Sequence, residues 1–535
     1  MRTYILAITT AVIACLLPAT GVASASAAAP AQRAVEEPPI PTLKWVKCDT
    51  EDAPFRPRAA APAPLCATAK VPLDYDDPTG PTATLDLLKV PAGNPQQKIG
   101  TLFVNPGGPS GSSTHFASFF PEIVRPVVAG RFDIVGIDPR GVGRHTPMIC
   151  RNPVRQPEGF FGAFPMTKPQ ASAKIAADRW VRNACRTKPS PIVNHMSTAD
   201  TARDMDLIRQ AVGDEKLTYY GISYGSYLGA TYAAMFPTKV RALIVDGVLD
   251  PISWSKGRGD AAKTQPFSTR LRSGYGAHES LMSAFARCDV VGKRRCALAG
   301  NAKAKWNRIA AKLEHGPVEV DEFALTYADL YGNVLGGLYS ASDYQRMMRW
   351  IRDIYTQMFG TKADRDRLSR AALAWKPAQR PHLPEPGKYG VASDAFSGVA
   401  CADSLNPTDP WQWWHAGIAA DKKAPGFSRL WTWASSTCAN WPASTKADAF
   451  MGPWGHNTSY PMLVVGNSHD PATPMHGART LRGLFGNSRL VQLDDWGHGA
   501  IGGNDCIDAI YRDYLVSQKL PRDGRTCARQ RSLFP

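Results

Sequence analysis

The chain has 535 residues, 44% of them hydrophobic, enough for one large core carrying an insertion or for two domains. Its formal charge of +16 admits anionic partners, but Lys and Arg are scattered, with only short clusters such as Lys293-Arg294-Arg295. There is no basic arm, RNA-binding signature, zinc-finger spacing, fixed-period repeat or sustained low complexity, so nucleic acid is not an expected partner.

The N-terminus, "MRTYILAITTAVIACLLPATGVASASAAAP", has one early Arg, an apolar run and small residues offering A-x-A sites at 23–25 and 25–27. Residues 1–27 therefore read as a secretory signal peptide, and a secreted, extracellular protein is expected. Pro18 and Gly21 break the apolar run, and no later segment reaches the ~18 uninterrupted apolar residues of a membrane span. Val12-Ile13-Ala14-Cys15 resembles a bacterial lipoprotein cleavage site, the alternative in which Cys15 carries a lipid anchor. Against it, apolar residues continue past Cys15 and a better cleavage site follows. Residues 28–42, through "EEPPIP", read as a leader or pro-segment.

From 43 to about 250, strands alternate with helices. "TLFVNPGG" and "FDIVGIDPRG" each run an apolar strand into a Gly/Pro turn, and "TARDMDLIRQAVG" has helical spacing with Gly213 as its stop. "KLTYYGISYGSYLGATYAAMFP" is a strand entering a long helix, and "VRALIVDGVLDP" is another strand ending at a turn. This alternation predicts a mostly parallel sheet covered on both faces by helices. From 251 to 445 strand signals thin out and aromatic and charged residues recur at helical intervals, as in "SASDYQRMMRWIRDIYTQMFG". Strand-then-turn character returns over 446–535 in "YPMLVVGNSHDPATP" and "SRLVQLDDWGHG". One α/β core in two parts, 43–250 and 446–535, interrupted by a large, mainly helical cap insertion is the economical reading.

Gly221-Ile222-Ser223-Tyr224-Gly225 fits G-x-S-x-G, a sharp strand-to-helix turn that projects a strained serine into a cleft. The serine needs a base, which is histidine held by a carboxylate, in the order Ser, acid, His. Asp470 follows the strand "PMLVVGNSH" and His498 lies in "DDWGHG" after "SRLVQL", each at a strand's C-terminal end. His469 is the nearest rival histidine, and Asp246, ending "ALIVDG", is the rival acid. Oxyanion donors are expected from the Tyr224 N–H and from Gly108 or Gly107 in "FVNPGGPSGSS". No metal or cofactor is called for. Setting Cys15 aside, ten of the 11 cysteines remain, an even number that suits an exported protein. Neighbour pairing is the simplest connectivity: Cys48 with Cys66, Cys150 with Cys185, Cys288 with Cys296, Cys401 with Cys438, and Cys506 with Cys527.

"NPGGPSG", "FDIVGIDPRGVGRHTP", "GISYGSYLGATYAAMFP", "HDPATP" and the terminal "GHG…C…YL…LP…C" together resemble the secreted bacterial tripeptidyl aminopeptidases, of the proline-iminopeptidase branch of α/β-hydrolases, from about 43 to 530. The resemblance implies the α/β-hydrolase fold and an exopeptidase releasing tripeptides, or tetrapeptides, from free N-termini, with a taste for proline or small residues near the cut. It also implies that Ser223, Asp470 and His498 form the triad. Two positions depart from the family: Ser110 where relatives usually have glycine, and Ala400 before Cys401 where a relative has glutamate. An exopeptidase must also sense the substrate's ammonium group. Asp403 is the first candidate on the insertion, with Glu319, Asp321 and Glu322 behind it. The peptidase is expected to be a monomer, and an esterase or lipase is its rival on the same fold.

Overall fold

The computed structural model describes residues 37–49, 62–150, 162–187, 190–320, 323–370, 394–442, 445 and 448–535. The expected signal peptide, Cys15 and most of the leader lie outside them. The strands in chain order are β1 (Val46–Lys47), β2 (Leu65–Pro72), β3 (Thr82–Val90), β4 (Gly100–Asn105), β5 (Phe132–Ile137), β6 (Leu217–Ile222), β7 (Val240–Asp246), β8 (Val318–Val320), β9 (Phe323–Leu325), β10 (Leu463–His469), β11 (Arg489–Trp496) and β12 (Arg525–Ala528). Ten of them form one sheet in the order β1-β2-β3-β5-β4-β6-β7-β10-β11-β12, while β8 and β9 pair apart as a short ribbon. The pairs β1/β2, β2/β3 and β3/β5 are antiparallel, and every pair from β5 to β12 is parallel. The fold is that of the α/β-hydrolases.

Alternate side chains of the central strands enter opposite cores, as the two-residue period of a strand requires. Phe103, Tyr219, Val245 and Val464 face one core, whereas Leu102, Tyr220, Ile244 and Val465 face the other. Both faces being covered explains why these strands read as continuous apolar runs. Between β7 and β10 the described chain is mainly helical apart from the β8/β9 ribbon. Its buried residues, among them Leu281, Trp306, Tyr331 and Trp413, belong to the same core as Tyr219 and Val464. No helix among the described residues is long and apolar enough to cross a membrane.

The ten cysteines beyond Cys15 are joined neighbour to neighbour, as expected. Cys48 is bonded to Cys66, which fastens the short edge strand β1 to β2. Cys150 is bonded to Cys185, near the end of the helix Lys168–Thr187. Within the insertion, Cys288 is bonded to Cys296 and Cys401 to Cys438. Cys506 is bonded to Cys527, which ties the helix Asp505–Ser517 to β12.

Register brings the ends of the parallel strands to one rim. Asn105 pairs with Gly221, Ile222 with Asp246, and Asp246 with Val465. Beyond β10 and β11 the chain turns at Asp470 and His498. Loops at this rim therefore carry every side chain singled out by the elbow motif and its expected partners.

Candidate active site

Ser223 sits between β6 and the helix Tyr224–Met235 with φ 60° and ψ −126°, a left-handed conformation for a residue that is not glycine. Such a conformation costs roughly 1–3 kcal/mol and persists only where its surroundings hold it. Here the Ser223 N–H donates to the Asp246 carbonyl at 3.0 Å, and the Ser223 carbonyl accepts from the Ser226 N–H at 2.8 Å. The flanking glycines are demanded by space. A Cβ on Gly221 would lie 2.3 Å from the Gly225 carbonyl oxygen, and one on Gly225 would lie 2.7 Å from that of Asn105.

Asp470 and His498 meet as a hydrogen-bonded couple. His498 Nδ1 lies 3.0 and 2.9 Å from the two carboxylate oxygens of Asp470. Asp470 is 1% exposed and also accepts from the N–H groups of Ala472 (2.9 Å), Thr473 (2.8 Å) and Gly499 (3.0 Å), and from the Thr473 hydroxyl (2.9 Å). Burial pushes its carboxyl pKa up, but the His498 imidazole and these donors outweigh burial and leave it below the usual carboxylate range. Burial likewise pushes the His498 pKa down, yet the charge and hydrogen bond of Asp470, with the charge of Asp246, leave it raised.

Neighbouring segments clamp the histidine loop. Asn467 Nδ2 donates to the carbonyls of Gly497 (3.1 Å) and Gly499 (3.2 Å). The His498 N–H donates to the Tyr339 carbonyl at 2.8 Å, and the Tyr339 ring packs edge-on against the imidazole at 5.1 Å. A Cβ on Gly499 would collide with Ile222 Cδ1 at 2.3 Å, so this loop rests on the residue before the serine. Ser223 and His498 line one cavity of about 390 Å³ together with Gly107, Gly108 and Tyr224. The Ser223 hydroxyl and the imidazole are not joined by a hydrogen bond here; such bonds are commonly long before substrate binds.

Gly107 and Gly108 both have left-handed φ, +89° and +112°, and a Cβ on Gly107 would lie 2.8 Å from the Tyr224 nitrogen. The turn after β4 thus lies directly over the elbow. The Gly107 N–H is committed to Asn105 Oδ1 at 2.9 Å. Gly108 lines the cavity beside Tyr224, whose own N–H is at the first position of its helix. Asn105, which also donates to Ser113 Oγ at 3.0 Å, braces this turn and was not singled out from sequence. Thr473, Asn467 and Tyr339 were missed as well. Only Asn105 had a visible signal, the N-P-G-G run.

The other candidates have other partners. Asp246 is fully buried, and its Oδ2 accepts from Tyr220 OH (2.8 Å), Tyr511 OH (2.9 Å) and the Ala500 N–H (3.0 Å), not from the imidazole. His469 stacks on Trp496 at 4.6 Å and pairs with Glu279 at 2.9 Å. Asp403, expected at the substrate's ammonium group, does not line the cavity. It is 1% exposed and accepts from the Thr198 N–H (2.8 Å), the Thr198 hydroxyl and Trp254 Nε1 (3.4 Å). Burial raises its pKa to about 7 against the pull of these donors. Through Thr198 it supports the Tyr224 hydroxyl from behind. A buried, fully engaged carboxyl has no face to offer a ligand. Glu319 is exposed on β8, whereas Asp321 and Glu322 lie outside the described residues. Among the described residues, one group has the ligand types and spacing to hold a metal: Asp74, His195 and Asp448, with ligand atoms within 4.8 Å of one another, none of them lining the Ser223 cavity.

Comparison with known proteins agrees with this geometry. Residues 100–272 match the alpha/beta hydrolase fold family, and residues 424–527 match the TAP-like protein family. The chain is similar to carboxylesterase B of Mycobacterium tuberculosis, 31% identical over 487 residues and covering 86% of each chain. It is also similar to the serine protease Hip1 of the same organism, 28% identical over 515 residues and 91% of each chain. The tripeptidyl aminopeptidase of Streptomyces lividans is 28% identical over 491 residues, 87% of this chain and 84% of the relative. Similarity of this extent along nearly the whole of both chains, with the elbow and the histidine each inside a family match, makes the chain a member of the TAP-like α/β-hydrolases, the family of the tripeptidyl aminopeptidases and Hip1, and a serine hydrolase.

Proposed function

We propose that the protein is a secreted serine aminopeptidase that releases tripeptides, or tetrapeptides, from the free N-termini of peptides, favouring proline or small residues near the cut. Ser223 Oγ attacks the scissile carbonyl while His498 takes its proton, and Asp470 fixes the imidazole tautomer through Nδ1. The N–H groups of Tyr224 and Gly108 hold the oxyanion of the tetrahedral intermediate. His498 then gives the proton to the leaving amine, and water releases the peptidyl group from Ser223 by the same steps. The helical insertion, residues 251–445, acts as a cap that closes the acyl side. The chain works as a monomer, exported with removal of residues 1–27.

The observation that carries this reading is the meeting of Ser223, the Asp470-braced His498, Gly108 and Tyr224 on one cavity. The walls of that cavity opposite the sheet are apolar side chains of the insertion, including Trp254, Phe267, Phe396 and Trp431. A cavity of about 390 Å³ lies within the ~300–1,000 Å³ range of small-ligand pockets, which suits a short peptide of small residues better than an open-ended chain. A second reading, an esterase, is favoured by the relative named carboxylesterase B.

A proline-containing tripeptide anilide, with its N-terminus free or blocked, set against a long-chain acyl ester separates the two. The free anilide is expected to be the best substrate and the blocked one at least tenfold poorer; strong preference for the ester would sink the peptidase reading. Ser223→Ala is expected to lose more than about 10⁴-fold in kcat with its fold intact, the scale seen when a triad member is removed.

A further inference from the structure

His498 belongs to two cavities. The first, of about 390 Å³, holds Ser223 and the oxyanion turn and is walled by apolar residues of the insertion. The second, of about 750 Å³, lies against the histidine loop from Gly497 to Gly503, with Tyr339 shared between the two. Its walls mix polar and apolar groups: Ser342 and Gln345 from the insertion, Asp495 near the end of β11 and Arg531 from the C-terminal tail stand among Trp496, Ile501 and other apolar side chains, whereas the first cavity is predominantly apolar. The tail is fixed there by its own sequence. Leu533 and Phe534 are 4% and 0% exposed, the Ser532 hydroxyl donates to the Phe534 carbonyl at 2.8 Å, and the bond between Cys506 and Cys527 ties the preceding segment to the helix after the histidine loop.

Acyl transfer imposes a direction on this arrangement. The imidazole takes its proton from the serine on one side and delivers it to the leaving amine, so the leaving chain must depart past the imidazole and away from the acyl pocket. The cavity at that position is the wider of the two and carries polar groups along an otherwise mixed wall, so it can take side chains of varied kind and offer partners to an unpaired backbone. We propose that the second cavity is the leaving-chain channel, binding the peptide on the C-terminal side of the scissile bond, and that the protein's own tail, residues 531–535, forms its outer wall. The proposal rests on the acyl-transfer reading of Ser223 and His498. Asp495 within the channel is engaged with the Trp496 N–H at 2.9 Å, whereas Arg531 makes no ion pair among the described residues. Arg531 therefore selects for an acidic residue early in the leaving chain.

Gly503 supplies the test. It lines this cavity, a Cβ built on it meets nothing within 4 Å, and its φ is outside the left-handed region, so a side chain can be introduced there without backbone strain. In Gly503→Trp the indole fills the channel. The ratio of kcat/KM for a tripeptide joined to a six-residue peptide over that for the same tripeptide anilide is expected to fall at least tenfold. In Arg531→Glu the preference for Glu over Lys in the first two positions of the leaving chain is expected to fall at least tenfold. A shift in either ratio supports the channel, and both ratios staying within twofold of wild type overturn it. If the wild type proves to cleave esters only, the pair becomes esters of one acid with a small and a bulky alcohol, read the same way. Fluorophosphonate labelling of Ser223 in the same proteins keeps the outcomes distinct. Absent labelling sinks the triad reading, while full labelling with unmoved ratios sinks the channel alone.

Discussion

Two carboxylates stand side by side at the rim of the sheet, and only their partners distinguish them. Asp246 ends β7 and Asp470 follows β10, the neighbouring strand, and both are essentially without solvent exposure. Gly247 lies between them: a Cβ there would be 3.2 Å from His498 Cε1 and 3.5 Å from Asp470 Oδ2. Asp470 faces the imidazole and four further donors, so its charge is compensated and its pKa is lowered despite burial. Asp246 faces two tyrosine hydroxyls and one N–H with a single oxygen, its Oδ1 unpartnered among the described residues, and burial raises its pKa. Equal burial thus yields an ionised acid in one place and a carboxyl pushed toward its neutral form in the other. What decides is whether a cation and enough donors share the cavity.

Removing the two charges in turn tests this contrast at its widest. Asp470→Asn leaves the geometry close to native but favours the wrong imidazole tautomer, and a loss of about 10⁴-fold in kcat is expected. Asp246→Asn keeps an acceptor for Tyr220 and Tyr511, leaves the backbone carbonyl that holds Ser223 in place, and changes a side chain bonded to neither the Ser223 hydroxyl nor the imidazole, so a loss of about tenfold or less is expected. Steady-state kinetics on the two purified variants would reverse the assignment of the acid if Asp246→Asn were the more damaging.

The pH profile sharpens the same contrast. The base must be neutral to accept the serine proton, so kcat/KM rises with pH through the His498 pKa of the free enzyme. Since that pKa is raised, the acid limb is expected above the ordinary 6.5. Asp246 contributes part of that raising through its charge, so Asp246→Asn is expected to move the limb to lower pH. A limb that stays in place would mean that Asp246 carries no charge the imidazole feels, and one that moves upward would contradict its raising influence altogether.

Much of this rim was legible in the sequence because its signals are local. A strand buried on both faces is a continuous apolar run, and the turn that follows must be Gly- or Pro-rich, so β4, β5, β6, β7, β10 and β11 declared themselves. The serine, the acid and the histidine then fell at strand ends in one order. The antiparallel strand β2 alternates over only part of its length and β3 is buried through its middle, and both were passed over, while β12 is four residues with one buried position, too short for any period. Asp403 misled because sequence shows a charge but not its burial. Nothing in the helical insertion marked Tyr339, since its role depends on a carbonyl and a ring reaching a loop 159 positions away in a chain whose register only the fold sets. Likewise Gly107 and Gly108 were equivalent until Asn105 claimed one of their amides.

The smallest expected effect concerns the group that helps make Asp470 different from Asp246. Thr473 donates its hydroxyl to Asp470 Oδ2 at 2.9 Å and lies 3.2 Å from His498 Nδ1, while its N–H separately donates to Asp470 Oδ1. Thr473→Val keeps the side-chain shape and the N–H donor and removes only the hydroxyl, which has no counterpart to leave unpaired except one lone pair of an acceptor with four other donors. A hydrogen bond of this kind contributes about 1 kcal/mol, so a loss of roughly fivefold in kcat is expected. The direction of a second readout separates orientation from charge. With the hydroxyl gone, Asp470 is the sole side-chain partner left to Nδ1, so the low-field imidazole proton resonance seen by NMR should persist in Thr473→Val and vanish in Asp470→Asn. Loss of that resonance in Thr473→Val would show that the threonine, not the carboxylate alone, fixes the tautomer. The contrast between the two rim carboxylates would then rest on a hydroxyl that Asp246 lacks no more than Asp470 does, since two tyrosines already supply it there.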